Sequence, residues 1–414
     1  MPELENLLQE ASVTYFPDEL PPFGVVGRRA QRRRTRIRLE VLGAALTTLG
    51  VVAAATLLGS ETAGHRRLPV ASDWTKSGSD YVMAVKGDPV WAGVAFGHRV
   101  AWVQAPKPPD TGLTGAIRIG TPGARLIHVH DLETGRDWSL AARTPTGTIA
   151  DITGDGDKVV TTEVIDASGC ARKVGFCVTW MLTVYDLKTG DVATLYRQDV
   201  PSGFVGAPVL GAGFAAWLTA GELHYDSLAQ GPDGLTTGAG GTLSGRFVEG
   251  SLSIADGYVY FQRAVDHRSL LRLALPSPGS NGSRSALQPE TAATDTNIGS
   301  PTVTADGTMA WTTGQCCSTR MQLRWAKVGA PGHVSTALSS EDIYLIRGGD
   351  GWILVDDLEG PQLLSTGGAI SQLTSGQDSV SPRNRIVGKT LFFATDDDPN
   401  NPGSAITLHV RFLP

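Results

Sequence analysis

Two patterns of hydrophobic and polar positions divide the chain. Near the N-terminus, Val41–Gly59 runs nineteen residues without a charge. At 1.5 Å per residue, a helix of that length matches the hydrocarbon core of a bilayer, about 30 Å. Beyond residue 60 the helical period disappears and short apolar runs are broken by Gly-containing turns, which predicts strands. One unit recurs there: an apolar strand, a tight turn with Gly, and a second apolar strand that often carries an aromatic. Its copies are Val94–Trp102, Asp151–Val160, Val209–Trp217, Ser253–Phe261 and Thr302–Trp311, with weaker ones at Leu345–Leu354 and Arg385–Phe393. The turn glycines fall at positions 97, 156, 213, 257, 307, 351 and 388, spaced by 37 to 59 residues. Gly and Asp-Gly provide the positive φ that tight hairpins need.

An interval of that size holds one four-stranded propeller blade with loops of varying length. The chain therefore reads as all-β, a seven-bladed propeller preceded by one transmembrane helix. Six blades is the alternative, because the last two copies are weak. The seventh blade lacks a strand before the chain reaches Pro414. The run Tyr81–Val85 is expected to complete it and so remove an exposed sheet edge.

The flanks of the apolar stretch set its orientation. Arg28, Arg29, Arg32, Arg33, Arg34, Arg36 and Arg38 precede it, against only His65, Arg66 and Arg67 just beyond, the asymmetry of the positive-inside rule. The resulting division is a cytoplasmic segment over 1–38, a transmembrane helix over 39–59, a linker over 60–78 and an extracytoplasmic propeller over 79–414. A cleaved signal peptide would have an overlong charged region and no clean small-x-small site. A twin-arginine signal fits poorly, since Thr35 and Arg36 follow Arg33-Arg34. Leu4, Leu7 and Leu8 predict one short amphipathic helix in a segment too short for its own core.

Two turns of the form Asp-Leu-x-Thr-Gly, at 131–135 and 186–190, follow predicted strands. With Ser300-Pro301-x-Val303-x-x-Asp306-Gly307, they make residues 80–414 resemble membrane-anchored, bacterial-type TolB-like and WD-repeat-like propellers. The resemblance implies fold and little about function, because such scaffolds host many roles.

Blade topology puts the Gly turns and the Asp-Leu-x-Thr-Gly turns at one face. The insertions Ala105–Gly123, Asp166–Thr179, Thr312–Arg320 and Thr395–Ser404 then decorate the other, where function on a rigid scaffold usually sits. All four cysteines lie in these loops. Outside the membrane, Cys170 and Cys177 are expected to bridge and so present Arg172 and Lys173. Cys316-Cys317 reads either as a vicinal disulfide or as two thiols with other partners. Zinc is not expected, since no Cys-x-x-Cys or suitably spaced His accompanies either pair. Arg172, Lys173 and Arg320 are the binding-face candidates.

Asp396, Asp397 and Asp398 offer oxygen ligands to Ca²⁺, but without an EF-hand pattern they read as a solvated turn. Asp151, Asp155 and Asp157 read as turn residues rather than a cation site. His128 and His130 share one face of a strand, which permits a metal pair; the wetter side of the strand is the simpler reading. Trp102, Trp217 and Trp311 occupy equivalent repeat positions, which assigns them to the core. Catalytic and cofactor motifs are lacking, so no cofactor is expected.

The functional expectation is a single-pass, membrane-anchored, extracytoplasmic propeller that acts without catalysis as a binding, scaffold or sensor protein. Its decorated face would meet a protein or glycan, and residues 1–38 would signal to a cytoplasmic partner. The alternative is an extracytoplasmic carbohydrate-active hydrolase or lyase. Carboxylates converging at the decorated mouth would favour it, since glycosidases work with paired carboxylates. A formal charge of −6 gives the ectodomain no nucleic-acid role.

Overall fold

The computed structural model describes residues 74–414 apart from 86–89, 105–124, 145–146, 167–177, 201–207, 220, 229, 232–233, 236–239, 249, 277–287, 315–320, 330–333, 341–342, 358–359, 374–384 and 397–405. The predicted membrane span, the helix and arginine run before it, the four cysteines, Arg172, Lys173, Arg320, Asp397 and Asp398 lie outside the described residues. Asp396 is described only as the last position of a strand.

The described strands form seven sheets of antiparallel neighbours in blade order, plus one small two-stranded hairpin. Six blades are contiguous, over 90–141, 148–200, 209–244, 253–294, 299–340 and 343–372. The seventh takes Arg385–Val387, Thr390–Asp396 and Ile406–Phe412 from the C-terminal end. Its fourth strand, Asp80–Val85, comes from the other end of the chain and pairs with Ile406–Phe412, as expected from the sequence. Asp80 stands opposite Arg411 in that pairing. The guanidinium grips the carboxylate twice, through Nε at 2.6 Å and through a terminal nitrogen at 2.8 Å.

The propeller begins earlier than residue 79. Thr75–Ser77 adds a fifth strand to the last blade. Trp74 packs edge-on against Trp102, with centroids 6.1 Å apart, and stacks on His130. An indole next to the linker's polar residues has apolar surface to bury, and burying it here extends the fold backwards by five residues.

The seven turn glycines all lie between the first and second strands of successive blades, and all have positive φ. In blades 3 and 4 the preceding Ala212 and Asp256 are also left-handed, the requirement of a type I′ hairpin. A second bond recurs in every blade. The residue that follows the third strand donates its N–H to a carbonyl of the first turn: Leu132 to His98, Leu187 to Asp157, Leu228 to Gly213, Leu275 to Gly257, Val328 to Gly307, Thr366 to Gly351 and Leu413 to Lys389, at 2.8–3.0 Å. In the Asp-Leu-x-Thr-Gly turns the Asp accepts main-chain bonds from the next two positions but one, as Asp131 does from Glu133 and Thr134. Asp186 does the same with Lys188 and Thr189, and its other oxygen meets Lys158 across the strand pair.

The core is a ring of inter-blade layers. Phe96, Ile152 and Val159 belong to the layer between blades 1 and 2, and Phe392 to the one joining blades 7 and 1. Two glycines accept these rings: a methyl group on Gly93 would stand 2.3 Å from Phe392, and one on Gly154 2.4 Å from Phe96. Trp102, Trp217 and Trp311 are buried, as their repeat position implied.

The described chain also departs from one expectation about its faces. The turn face carries an insertion of its own: between the third and fourth strands of blade 3, Gln230–Gly231 pairs with Gly234–Leu235. That face is therefore not uniformly plain.

Candidate functional site: the central channel

The first strands of the blades line a central channel of about 860 Å³. Strand alternation points every second side chain of these innermost strands inward. Most of the lining is small or aliphatic, including Ala92, Leu210 and Ile254. The polar and charged groups of the lining come from five blades, with Asp151, Thr153, Asp155 and Thr162 all on blade 2.

Two features brace the ring from inside. Ser253 of blade 4 and Thr302 of blade 5 lie 3.2 Å apart through their hydroxyls, and the Gly348 N–H of blade 6 donates to Thr302 Oγ1 at 2.9 Å. Arg385 of blade 7 donates to the Asp151 carboxylate and, at 2.8 Å, to the Ile152 carbonyl. Both partners are on blade 2. The side chain therefore passes the inner strand of blade 1, where Ala92 shows only a methyl group to the channel.

The remaining charges are arranged in two groups. Arg347 lines the channel beside Arg385. Protein atoms surround it densely; burial and the neighbouring Arg385 charge pull it down to about 10, against the attraction of Asp151 and Asp356. Asp155, Asp256 and Asp350 lie at the Gly-turn end, each one residue before its turn glycine. Burial first, and then the Asp350 charge, raises Asp155 above the ordinary carboxylate value, although a bond from the Gly156 main chain opposes this.

These positions correct several readings made from sequence. Asp151 and Asp155 are not simple turn residues: they belong to an inner strand and face the channel. Asp157 does occupy the turn, where it pairs with Arg99 at 2.6 Å. His128 and His130 are not on a wet side. His128 stacks on Trp102 with centroids 5.3 Å apart, and burial lowers its pKa. His130 is buried, with Nδ1 2.8 Å from Asp137. The same cross-strand stack joins His224 to Trp217 and His409 to Phe393, which makes it a packing device of the repeat. Among the described residues no three His, Cys, Asp or Glu side chains gather as a metal site.

Arg347, Asp350 and Asp256 were not singled out from sequence. The signal was available in register: residues one to four places before a turn glycine face the channel or its mouth. The carboxylates that the channel does bring together are at the Gly-turn mouth, opposite the one where a hydrolase was expected to gather them.

No family profile matches this sequence, and no curated protein matches it either. Solved structures do resemble it in three dimensions. The β-propeller domain of the Trilobed protease from Pyrococcus furiosus aligns with a TM-score of 0.47 at 10% identity, over 75% of this chain and 89% of that one. A chain from the mitotic checkpoint complex gives 0.47 at 11% identity, over 89% and 100%. An oligogalacturonate lyase in complex with manganese gives 0.33 at 12%, over 77% and 74%. Likeness this distant says nothing about activity. From their own strand pairing, the described residues form an all-β, seven-bladed β-propeller whose last blade is completed by Asp80–Val85.

Proposed function

We propose that this protein is a membrane-anchored, extracytoplasmic propeller of TolB-like and WD-repeat-like kind that binds a ligand or partner without catalysis. The observation that carries the reading is the channel itself. Its lining is mostly small or aliphatic, with polar and charged groups contributed by several blades, the composition of a binding pocket. Several of those groups are engaged in holding the ring: Asp151 is tied to Arg385, and Ser253 and Thr302 stitch blades 4 to 6. A carboxylate locked to an arginine is a poor general base or nucleophile. The arginine run before an uncharged stretch supports the anchor and the orientation, with residues 1–38 facing a cytoplasmic partner.

Three measurements test this, the first two on the full-length protein. Protease accessibility in intact cells should cut the propeller from outside and spare residues 1–38. A screen against polysaccharides should give no turnover; turnover would replace the binding reading with the carbohydrate-active alternative. Deleting residues 2–20 should abolish capture of the cytoplasmic partner, and unchanged capture would remove that part of the proposal.

A further inference from the structure

The channel holds two complementary sets of charges that the protein does not satisfy by itself. The first is Arg347. Its Nε is enclosed and makes no hydrogen bond, and among the described residues the guanidinium has no hydrogen-bonded or ion-paired partner. Arg385, beside it, has both Asp151 and the Ile152 carbonyl. A guanidinium carries five donors in a fixed fork; here Nε is shut away without an acceptor, while the residue is only partly buried and lines the channel. An acceptor from the channel would complete it.

The second set is the pair Asp155 and Asp350 at the Gly-turn mouth. They repel one another, and no cation is paired with either among the described residues. A doubly charged anion such as phosphate would be repelled by carboxylates so near Arg347. A ligand with a positive end would instead be drawn to them. Arg347 and Asp350 are three positions apart on one blade, which in extended chain is roughly 10 Å.

We propose that the channel binds a short peptide zwitterion of about three residues, its carboxylate forked on Arg347 and its ammonium held by Asp155 and Asp350. This rests on the reading of the channel as a non-catalytic binding site. Bidentate recognition explains an arginine rather than a lysine at position 347, because only the fork matches a carboxylate's two oxygens. The small and aliphatic lining between the two poles suits an unbranched backbone.

The test is calorimetry on the full-length protein with four probes: triglycine, its carboxy-terminal amide, its N-acetyl derivative and inorganic phosphate. Triglycine should bind, and each capped form should bind roughly 10- to 100-fold more weakly, the loss expected for one charge-assisted contact. Phosphate should bind more weakly than triglycine. Arg347→Gln should weaken triglycine as much as amidation does while leaving the already amidated probe unaffected. Arg347→Lys, which keeps the charge without the fork, should fall between. Asp155→Asn should reproduce the loss caused by N-acetylation. Circular dichroism of each variant separates lost binding from lost fold. Equal affinity for triglycine and its amide, phosphate binding best, or unchanged affinity in folded Arg347→Gln would overturn the assignment, and so would no binding of triglycine to the native protein. Capture of another ligand that survives Arg347→Gln would remove only the peptide assignment and leave the binding reading standing; polysaccharide turnover would remove the reading itself.

Discussion

Asp151 and Arg385 show how a single pair of side chains can tie together blades that are not neighbours. The pair is nearly enclosed, with the side chains 20% and 7% exposed. Removing the cation leaves a carboxylate without its charge partner, and broken buried pairs cost about 3–5 kcal/mol. Arg385→Met should therefore lower stability by about that much, read from the urea midpoint, whereas changing both residues to apolar ones should cost less. Asp155 predicts the opposite sign. Its folded pKa is raised above the ordinary 3.8, so its favourable contribution is complete below that value and is lost as pH rises through the raised one. Asp155→Asn should accordingly raise the melting temperature at pH 7, with the gain gone at pH 3.5 or below, as a pH series of melting curves would show. Such roles were hidden in the sequence, since Asp151 and Asp155 sit in a run of aspartates that equally suits a turn. Only the ring brings Arg385 across to meet them.

At the scale of the strand and hairpin, much of the architecture was legible beforehand. Backbone requirements are local, and the seven turn glycines mark the first hairpin of every blade because an L side chain is strained at those φ values. The Asp-Leu-x-Thr-Gly turns were legible for the same reason: the Asp oxygen meets N–H groups only two and three residues on. Cross-blade packing has no such local signature. Gly93 and Gly257 look alike in sequence, yet one is dictated by space and the other by backbone. A Cβ on Gly93 collides with Phe392, while Gly257 has open space around it and φ +75°. Gly93→Ala should cost about 1–3 kcal/mol by overpacking, and a second change, Phe392→Leu, should recover part of it. Gly257→Ala should cost about 1–2 kcal/mol through the left-handed backbone alone, with no rescue from any neighbour. A double-mutant cycle by denaturant unfolding separates the two causes. The start of the propeller was misjudged by five residues because Thr75–Ser77 is polar and carries no alternation; its place is set by Trp74 and by pairing with Asp80–Val85.

The whole molecule depends on one seam. Asp80 and Arg411 close it, 331 residues apart in the chain. Burial would raise the Asp80 carboxyl, but its bonds to Arg411 and Ser79 and the Arg411 charge outweigh this and hold it below the usual range. Its contribution to stability is thus complete above pH 3.8 and is lost as pH falls through the lowered value. Asp80→Asn should cost about 1–3 kcal/mol at pH 7 and should abolish the corresponding acid-sensitive part of the unfolding curve. Removing residues 74–85 altogether should expose the Ile406–Phe412 edge and give a protein that aggregates rather than unfolding cooperatively, as light scattering on heating would reveal. The seam also imposes an order on biosynthesis. The strand Asp80–Val85 leaves the ribosome among the first parts of the propeller, and its partner Ile406–Phe412 among the last. At roughly 5–20 residues per second, tens of seconds separate the two. For all of that time the nascent ring is an open arc with an unmatched strand at each end, and a chain stopped short of its final blade can never seal. Quality control that recognises an unpaired edge would therefore distinguish finished copies from truncated ones without reading any other part of the fold.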